Sequence, residues 1–330
     1  LPSGSALFIL KGAGNMQKVV VLNAGVVNYD GQAGFDRIAD DVTVYATTAP
    51  EQIAERTAGA AIVVTKEMPM GAAEIAQLPE TVQMCVEAGT GYNNYDLEAL
   101  QARGIALTNI AAYSTDRVAD TALMLMLSLA SSLQVQLRVL AAGNHDNFTK
   151  HLQVPHVELT GKTLGVVGFG HIGQALIHRA QALGMQVLVS TRTPRPDQPG
   201  IHFTTQADML QNSDFVSLHV PLVPATAHLI NAATLQLMKP TAFLINTARG
   251  GLVDEAALVA ALQAGTIAGA GLDVQEVEPL PDDSPLYDMA NVIVTPHIGW
   301  RGLETRQRLV RMVGDNIQAW FAGKPINQVK

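Results

Sequence analysis

A chain of 330 residues exceeds the ~250–300 residues at which a single hydrophobic core stops growing, so two domains with a cleft between them are expected. With 48% hydrophobic and 15% charged residues it can bury large cores, which excludes a disordered or fibrous protein. A formal net charge of −8, with no block of Lys and Arg, argues against nucleic acid as a partner, because phosphate binding needs a dense basic surface.

Residues 1–15 are expected to be an added leader ahead of a natural start at Met16, since the apolar run from Lys18 to Leu22 reads as the first strand. From there to Thr108, short β-branched runs at 19–22, 42–45, 61–65, 82–86 and 105–108 alternate with longer amphipathic stretches. That is a βα repeat. Continuous apolar strands imply burial on both faces, hence a parallel, flavodoxin-like sheet covered by helices. The single cysteine, Cys85, lies inside one of these runs and reads as a small buried hydrophobe. One cysteine excludes an internal disulfide and fits a reducing cytoplasm.

Ser114-Thr-Asp-Arg-Val118 offers hydroxyls to cap a helix, and the apolar pattern that follows predicts one helix up to Gly143, buried at a lobe or subunit interface. Its most apolar part, from Ala122 to Ala130, is about half the ~20 residues a membrane span needs, and no membrane association is expected. A polar connector over 143–155 leads to a second βα series, with strands at 164–170, 186–189, 215–220, 242–246, 267–272 and 292–295. The last amphipathic stretch, 303–321, has no strand after it and is expected to fold back on the first lobe. The expected division is 16–113 plus 300–330 for the first, discontinuous domain and 114–299 for a Rossmann-like dinucleotide-binding domain.

Three segments carry chemistry. Gly168-Phe-Gly-His-Ile-Gly173 follows a buried strand and opens a helix: the first glycine permits the turn, the second lets N–H groups approach a pyrophosphate, the third lets helix and strand pack closely. Phe169, His171 and Ile172 come with that loop. An NAD-preferring site ends its second strand with an acid, but here stands Val189-Ser-Thr-Arg-Thr-Pro-Arg195. Ser190, Thr191, Arg192 and Arg195 match a 2′-phosphate instead, so NADP(H) is expected over NAD(H). A solvated basic loop is the plainer alternative.

Next, Phe243-Leu-Ile-Asn-Thr-Ala-Arg-Gly-Gly-Leu-Val-Asp254 places Arg249 at a strand's carboxyl end, where open α/β sheets bind ligands. A guanidinium fork suits the carboxylate of a 2-keto acid, although from position alone Arg249 equally suits a structural carboxylate. Gly269-Ala-Gly-Leu-Asp-Val-Gln-Glu-Val-Glu-Pro279 and Val294-Thr-Pro-His-Ile-Gly-Trp300 bring Glu278 and His297 toward the same edge. An alkoxide left by hydride delivery needs a proton, which imidazole supplies near neutral pH when a carboxylate favours its charged form. Read alone, His297 also fits an ordinary hydrogen-bonded loop histidine. The nine histidines include no HExxH pair, so no metal is expected.

Together these segments resemble the D-2-hydroxyacid dehydrogenase family over nearly the whole chain from Met16. The resemblance implies that Arg249 binds the substrate carboxylate and carbonyl, Glu278 supports His297, and His297 donates the proton. It further implies that Asp273 holds the nicotinamide carboxamide and that His219, Val220, Pro221 and Thr226 line the cofactor cleft with Thr115, Thr247, Ala248 and Gly299. In the first lobe, Ala88-Gly-Thr-Gly-Tyr-Asn-Asn-Tyr-Asp96 looks like the family's substrate loop, with the amides of Thr90 and Gly91 meeting the carboxylate. An ordinary strand-to-helix turn explains the same residues, and Lys66 joins this set as a residue facing the cleft.

Asn109-Ile-Ala-Ala-Tyr-Ser-Thr-Asp116 and His297-Ile-Gly-Trp300 are most similar to the glycerate dehydrogenase and hydroxypyruvate (glyoxylate) reductase branch. Ala111 and Ala112 stand where many members have Pro-Gly. A cytoplasmic homodimer reducing a small 2-keto acid to its D-2-hydroxy acid is the expectation. The alternatives are a dinucleotide-sensing, corepressor-like binding protein without turnover, or a dehydrogenase of a phosphorylated hydroxy acid or inorganic oxyanion.

Overall fold

The computed structural model of the chain describes residues 17–329; the expected leader, 1–15, and start, Met16, lie outside the described residues. Two compact units result. One runs to Tyr113 and resumes at Arg301, and the other is Ser114–Trp300.

In the first unit, β1 (Val19–Val21), β2 (Val42–Val44), β3 (Ile62–Thr65), β4 (Met84–Glu87) and β5 (Ala106–Thr108) form a parallel sheet in the order β2-β1-β3-β4-β5. Every residue of β1, β3 and β4 is buried, while the edge strand β2 is half-buried or exposed. Central strands covered on both faces are what the unbroken valine and isoleucine runs dictate. The chain leaves β1 in one direction to form β2 and in the other to form β3, so β1 and β3 flank the sheet's switch point. Loops at the carboxyl ends of such strands diverge and leave a crevice.

The helix Leu303–Phe321 completes this unit, burying Leu309, Val310, Val313 and Ile317. Each such side chain contributes about 1.5–3 kcal/mol. Arg306 on the same helix is buried and grips Asp30 with two nitrogens, at 2.9 and 2.6 Å, while a further bond of 2.8 Å reaches the Val27 carbonyl. The Arg306 guanidinium holds the Asp30 carboxyl down to about 2.

In the second unit, β6 (Thr163–Val167), β7 (Gln186–Ser190), β8 (His202–Phe203), β9 (Phe215–Leu218), β10 (Phe243–Asn246), β11 (Gly269–Leu272) and β12 (Val292–Val294) form a parallel sheet in the order β12-β11-β10-β9-β6-β7-β8. The switch point lies between β6 and β9. β8 was not anticipated: it has only two residues, paired with Leu188 and Val189 at the sheet edge, and too short a run to show a period.

The helix expected to run unbroken to Gly143 is two helices, Thr115–Ala130 and Leu133–Ala141, bent by 61°. Ser132 sits at φ +46 in the left-handed region, and its hydroxyl donates to the Pro155 carbonyl at 2.6 Å. That bond to a segment 23 residues away, together with the left-handed backbone at Ser132, places the break there. Ser114 makes no side-chain capping bond, contrary to expectation. Leu125, Met126 and Leu129 bury against Phe215 and Ile245 of the sheet, whereas Leu133–Ala141 buries no residue. Among the described residues no single helix is long and apolar enough to cross a membrane.

Candidate active site

The glycine-rich loop forms at the switch point of the second sheet. Gly168, directly after β6, adopts φ +97, and a Cβ there would meet the His219 carbonyl oxygen at 2.5 Å and Val220 at 2.8 Å. Only glycine fits. Its N–H donates to the Ser190 carbonyl at 2.9 Å, which ties the loop to the end of β7. A Cβ on Gly173 would meet the Gly168 oxygen at 2.6 Å, so the helix His171–Ala182 packs directly on the turn. Gly170 precedes that helix with no capping side chain and open space beside it. Uncapped N–H groups at a helix start, carrying the positive end of its dipole, suit a pyrophosphate.

Beside this loop, the Phe169 ring meets Phe203 edge-on at 5.1 Å, and the Arg195 guanidinium lies 5.5 Å from the Phe169 centroid. The unanticipated β8 thus supplies the ring that braces Phe169. Ser190 is buried at the end of β7, and the Thr191 hydroxyl donates to the Thr193 carbonyl at 2.7 Å. Arg192 and Arg195 are exposed and have no carboxylate partner among the described residues. Asp197, the acid that follows them in the loop, is engaged by His202 Nδ1 at 2.6 Å and the Phe203 N–H at 2.8 Å. The His202 bond holds its carboxyl below the usual range.

His219 follows β9, with Nε2 2.9 Å from the Ser217 hydroxyl, and desolvation pushes its imidazole down to about 4. The Thr226 hydroxyl donates to the carbonyls of Pro221 and Val223 and accepts the Val223 N–H, so it knits its own loop. Thr115 opens its helix and is half-buried. After β10, the Thr247 hydroxyl is buried with no hydrogen-bond partner among the described residues. Buried polar atoms rarely stay unpaired, and an orphan beside Ala248 on a strand's carboxyl end fits contact with a bound cofactor.

The second group of residues stands at the carboxyl ends of β10, β11 and β12, which are neighbours in register: Asn246 pairs with Leu272 and Leu272 with Val294. Asn246 folds the turn that carries Arg249. Its Oδ1 accepts the Ala248 N–H at 3.1 Å and its Nδ2 donates to the Arg249 carbonyl at 2.8 Å. The half-buried Arg249 guanidinium donates to the Ala248 carbonyl at 2.7 Å and has no carboxylate partner among the described residues. A structural carboxylate therefore does not account for it.

Gly250 clasps this turn onto the next. A Cβ on Gly250 would lie 1.9 Å from the carbonyl of Gln275 and 2.4 Å from the nitrogen of Glu276, so the two backbones touch. From that contact the chain reaches Glu278, whose Oε1 accepts the Gln275 N–H at 3.1 Å and whose Oε2 lies 2.9 Å from His297 Nδ1. Gln275 also donates to the carbonyls of Leu272 and Thr295, at 3.3 and 3.4 Å, across β11 and β12. Asn246, Gly250 and Gln275 were not singled out from sequence. Asn246 stands inside a quoted motif, but the contacts of Gly250 and Gln275 are long-range and leave no local signal.

His297 adopts φ +51, a strained conformation for a residue with a Cβ. Its N–H donates to the carbonyls of Asp273 and Thr295, at 2.9 and 3.0 Å. Asp273 completes the clamp: its carboxylate accepts the Thr295 hydroxyl at 2.5 Å and the N–H groups of Ile298 and Gly299 at 2.9 and 2.8 Å. The resemblance assigns Asp273 to a carboxamide; in this chain three donors of the His297 loop already occupy that carboxylate. The carboxylate of Glu278 fixes the proton on Nδ1 and leaves Nε2 to exchange one. His297 and Glu278 side chains are 20% and 36% exposed, open enough for a small molecule to reach. No group of three His, Cys, Asp or Glu among the described residues is placed to hold a metal ion.

In the first unit, Thr90 and Gly91 lie on the turn after β4. The Thr90 hydroxyl donates to the Ile110 carbonyl at 2.9 Å, and the Asn109 amide donates to the Thr90 carbonyl at 2.7 Å. Neither N–H has an acceptor among the described residues. Lys66, expected to face the cleft, is 4% exposed and pairs with Glu67 beneath Gly89. Cys85 is fully buried, and burial pushes its thiol up to about 12.

Residues 123–299 match the family model described as D-isomer specific 2-hydroxyacid dehydrogenase, NAD binding domain. The chain is 40% identical over 288 residues to the glycerate dehydrogenase of Methylorubrum extorquens, covering 86% of this chain and 90% of that one. To the hydroxypyruvate reductase of Blautia hydrogenotrophica it is 34% identical over 322 residues, 94% and 99% of the two chains. Among solved structures, the NADPH-dependent glyoxylate/hydroxypyruvate reductase of Sinorhizobium meliloti in complex with NADP and malonate superposes with a TM-score of 0.83 at 29% identity, over 96% of this chain and 97% of that one. Motifs, fold and relatives agree: the chain belongs to the D-isomer specific 2-hydroxyacid dehydrogenase family.

Proposed function

We propose that this chain reduces a small 2-keto acid of the glyoxylate or hydroxypyruvate type to the D-2-hydroxy acid, with NADPH preferred to NADH. The observation that carries the reading is the Glu278–His297 pair at 2.9 Å, joined through the Gly250 contact to the turn of Arg249. When bound, the reduced nicotinamide supplies the hydride. The amides of the 168–173 loop hold the pyrophosphate, Thr247, Ala248 and the 219–221 segment border the nicotinamide side, and Ser190, Thr191, Arg192 and Arg195 take the 2′-phosphate. Support for NADPH is the missing acid at the end of β7, the engagement of Asp197 by its own loop, and the NADPH-dependent relative.

Arg249 grips the keto acid's carboxylate with its fork and draws charge toward the carbonyl oxygen. As the carbonyl carbon gains a hydride its oxygen gains a proton from His297 Nε2, and Glu278 stabilises the imidazolium beforehand. Thr90 and Gly91 are assigned to the substrate carboxylate as well, on the strength of their open N–H groups. Relatives named for glycerate, hydroxypyruvate and glyoxylate define the substrate class. We assign the chain to the cytoplasm, and to a homodimer formed through the exposed apolar side chains Leu127, Leu133, Leu137, Phe148 and Leu152.

The test is turnover of glyoxylate, hydroxypyruvate, pyruvate and phenylpyruvate, followed by absorbance with each reduced cofactor. His297→Ala is expected to lower kcat roughly 10²–10⁴-fold while NADPH still binds. Full activity in that variant would overturn the reading.

A further inference from the structure

A buried polar cluster sits at the switch point of the first unit, where the mechanism above uses almost none of it. Asn23 stands two residues past the end of β1 and Lys66 directly follows β3; they are stitched by Lys66 N–H to Asn23 Oδ1 at 2.9 Å and Asn23 Nδ2 to the Lys66 carbonyl at 2.6 Å. One strand over, Glu87 ends β4 with 0% of its surface exposed. Its Oε1 accepts the N–H of Glu67 at 3.1 Å, and its Oε2 accepts the Asn94 amide at 3.0 Å and the Thr65 hydroxyl at 3.4 Å. The same Asn94 amide donates to the Met68 carbonyl at 2.7 Å, and the Thr65 hydroxyl bonds the Tyr95 hydroxyl at 2.6 Å.

One carboxylate thus joins the loop after β3, which borders the crevice at the switch point, to the turn after β4. Glu67 is held at φ +54, a conformation that persists only where its surroundings enforce it. A Cβ built on Gly89 would meet Glu87 Oε1 at 2.9 Å and Lys66 Nζ at 3.1 Å, so acid and ammonium lie directly under the backbone that presents the Thr90 and Gly91 amides. Burial raises the Glu87 carboxyl above its usual range, and the Lys66 charge and Asn94 amide oppose that rise.

We propose that Glu87 is a positioning residue for the keto acid's carboxylate, holding the Lys66 ammonium and the 88–91 turn in one arrangement. The inference rests on the proposed reduction of a 2-keto acid. It assigns Glu87 no contact with substrate; the side chain acts through the turn above it.

Glu87→Gln is the variant to test. It keeps the volume and one acceptor oxygen, but its amide nitrogen must face either the Glu67 N–H or the Asn94 amide, so one of the two loops loses its anchor. KM for glyoxylate should rise about tenfold, the scale of one lost charge-assisted hydrogen bond. kcat should change by less than about threefold, because His297, Glu278 and Arg249 belong to the other unit, and NADPH affinity by fluorescence should stay at the wild-type value. Glu87→Ala should show the same split more strongly. An unchanged KM in both variants would refute the assignment, as would a joint loss of substrate affinity, kcat and NADPH affinity that follows the fall in Tm. Wild-type chain that binds NADPH but turns over no 2-keto acid would sink the functional reading, and this inference with it.

Discussion

Replacing Gly250 with alanine tests whether the Arg249 turn and the Glu278–His297 pair work as one assembly. The new methyl carbon would lie 1.9 Å from the Gln275 carbonyl, where ordinary contact is about 3.5 Å, so the two backbones must separate by ~1.6 Å. Neither side yields easily: Asn246 pins the Arg249 carbonyl at 2.8 Å, and Gln275 is tied to Leu272, Thr295 and Glu278. Overpacking of this kind costs roughly 1–3 kcal/mol of stability. A misplacement of about 1 Å among reacting groups costs on the order of 10²-fold in rate, or about 2.7 kcal/mol of barrier. Steady-state turnover of glyoxylate with NADPH should therefore show kcat/KM reduced about 100-fold in a protein that still melts cooperatively and still binds NADPH. A Gly250→Ala enzyme within threefold of wild type would refute the claim that this contact sets the site.

Three further outcomes follow from the same geometry. Replacing Arg192 and Arg195 together with serine should lower kcat/KM for NADPH roughly 10–100-fold and leave NADH within twofold, since charge-assisted bonds to a 2′-phosphate are lost; equal losses with both cofactors would contradict the assignment. His219 is held neutral down to about 4, against 6.5 unperturbed, so the unfolded chain binds its proton first as pH falls. Stability is then lost between pH 6.5 and 4, about 3 kcal/mol in all, and denaturant melts of His219→Gln should lack that share of the slope. Ala112 sits at φ +62, where glycine is at ease, so Ala112→Gly should leave Tm unchanged or raise it by a few degrees rather than lower it.

The strands were readable one by one because buried parallel strands are written as short, largely apolar runs, and eleven of the twelve coincide with the runs read from the sequence to within a few residues. β8 escaped because two residues carry no period, although its Phe203 props the ring of Phe169. The helix break at Ser132 escaped because its cause is a bond to Pro155, distant in sequence. Arg249, Glu278 and His297 could be named because their motifs together resemble one family; read singly, Arg249 suits a structural carboxylate and His297 an ordinary loop histidine equally well. Their supports could not: Gln275 and the Asp273 clamp act through bonds to the segment that follows β12, and Gly250 through a backbone contact with Gln275.

Composition and periodicity by themselves determined that this chain builds two parallel α/β sheets, because burial and backbone hydrogen bonding leave few other solutions for that pattern, and the Gly168–Gly173 motif after a strand determined the dinucleotide loop. Composition and periodicity did not decide which acid meets which base: the resemblance implied the Glu278–His297 pair, and the tertiary structure gives each acid its partner. Glu278 and Glu276 lie two residues apart, yet one faces His297 and the other His228. Likewise Glu87 reads as an interruption in an apolar run and becomes the anchor of two loops once Thr65, Glu67 and Asn94 surround it. A carboxylate's partners are set by the few ångströms around it, and those distances exist only after distant segments have packed.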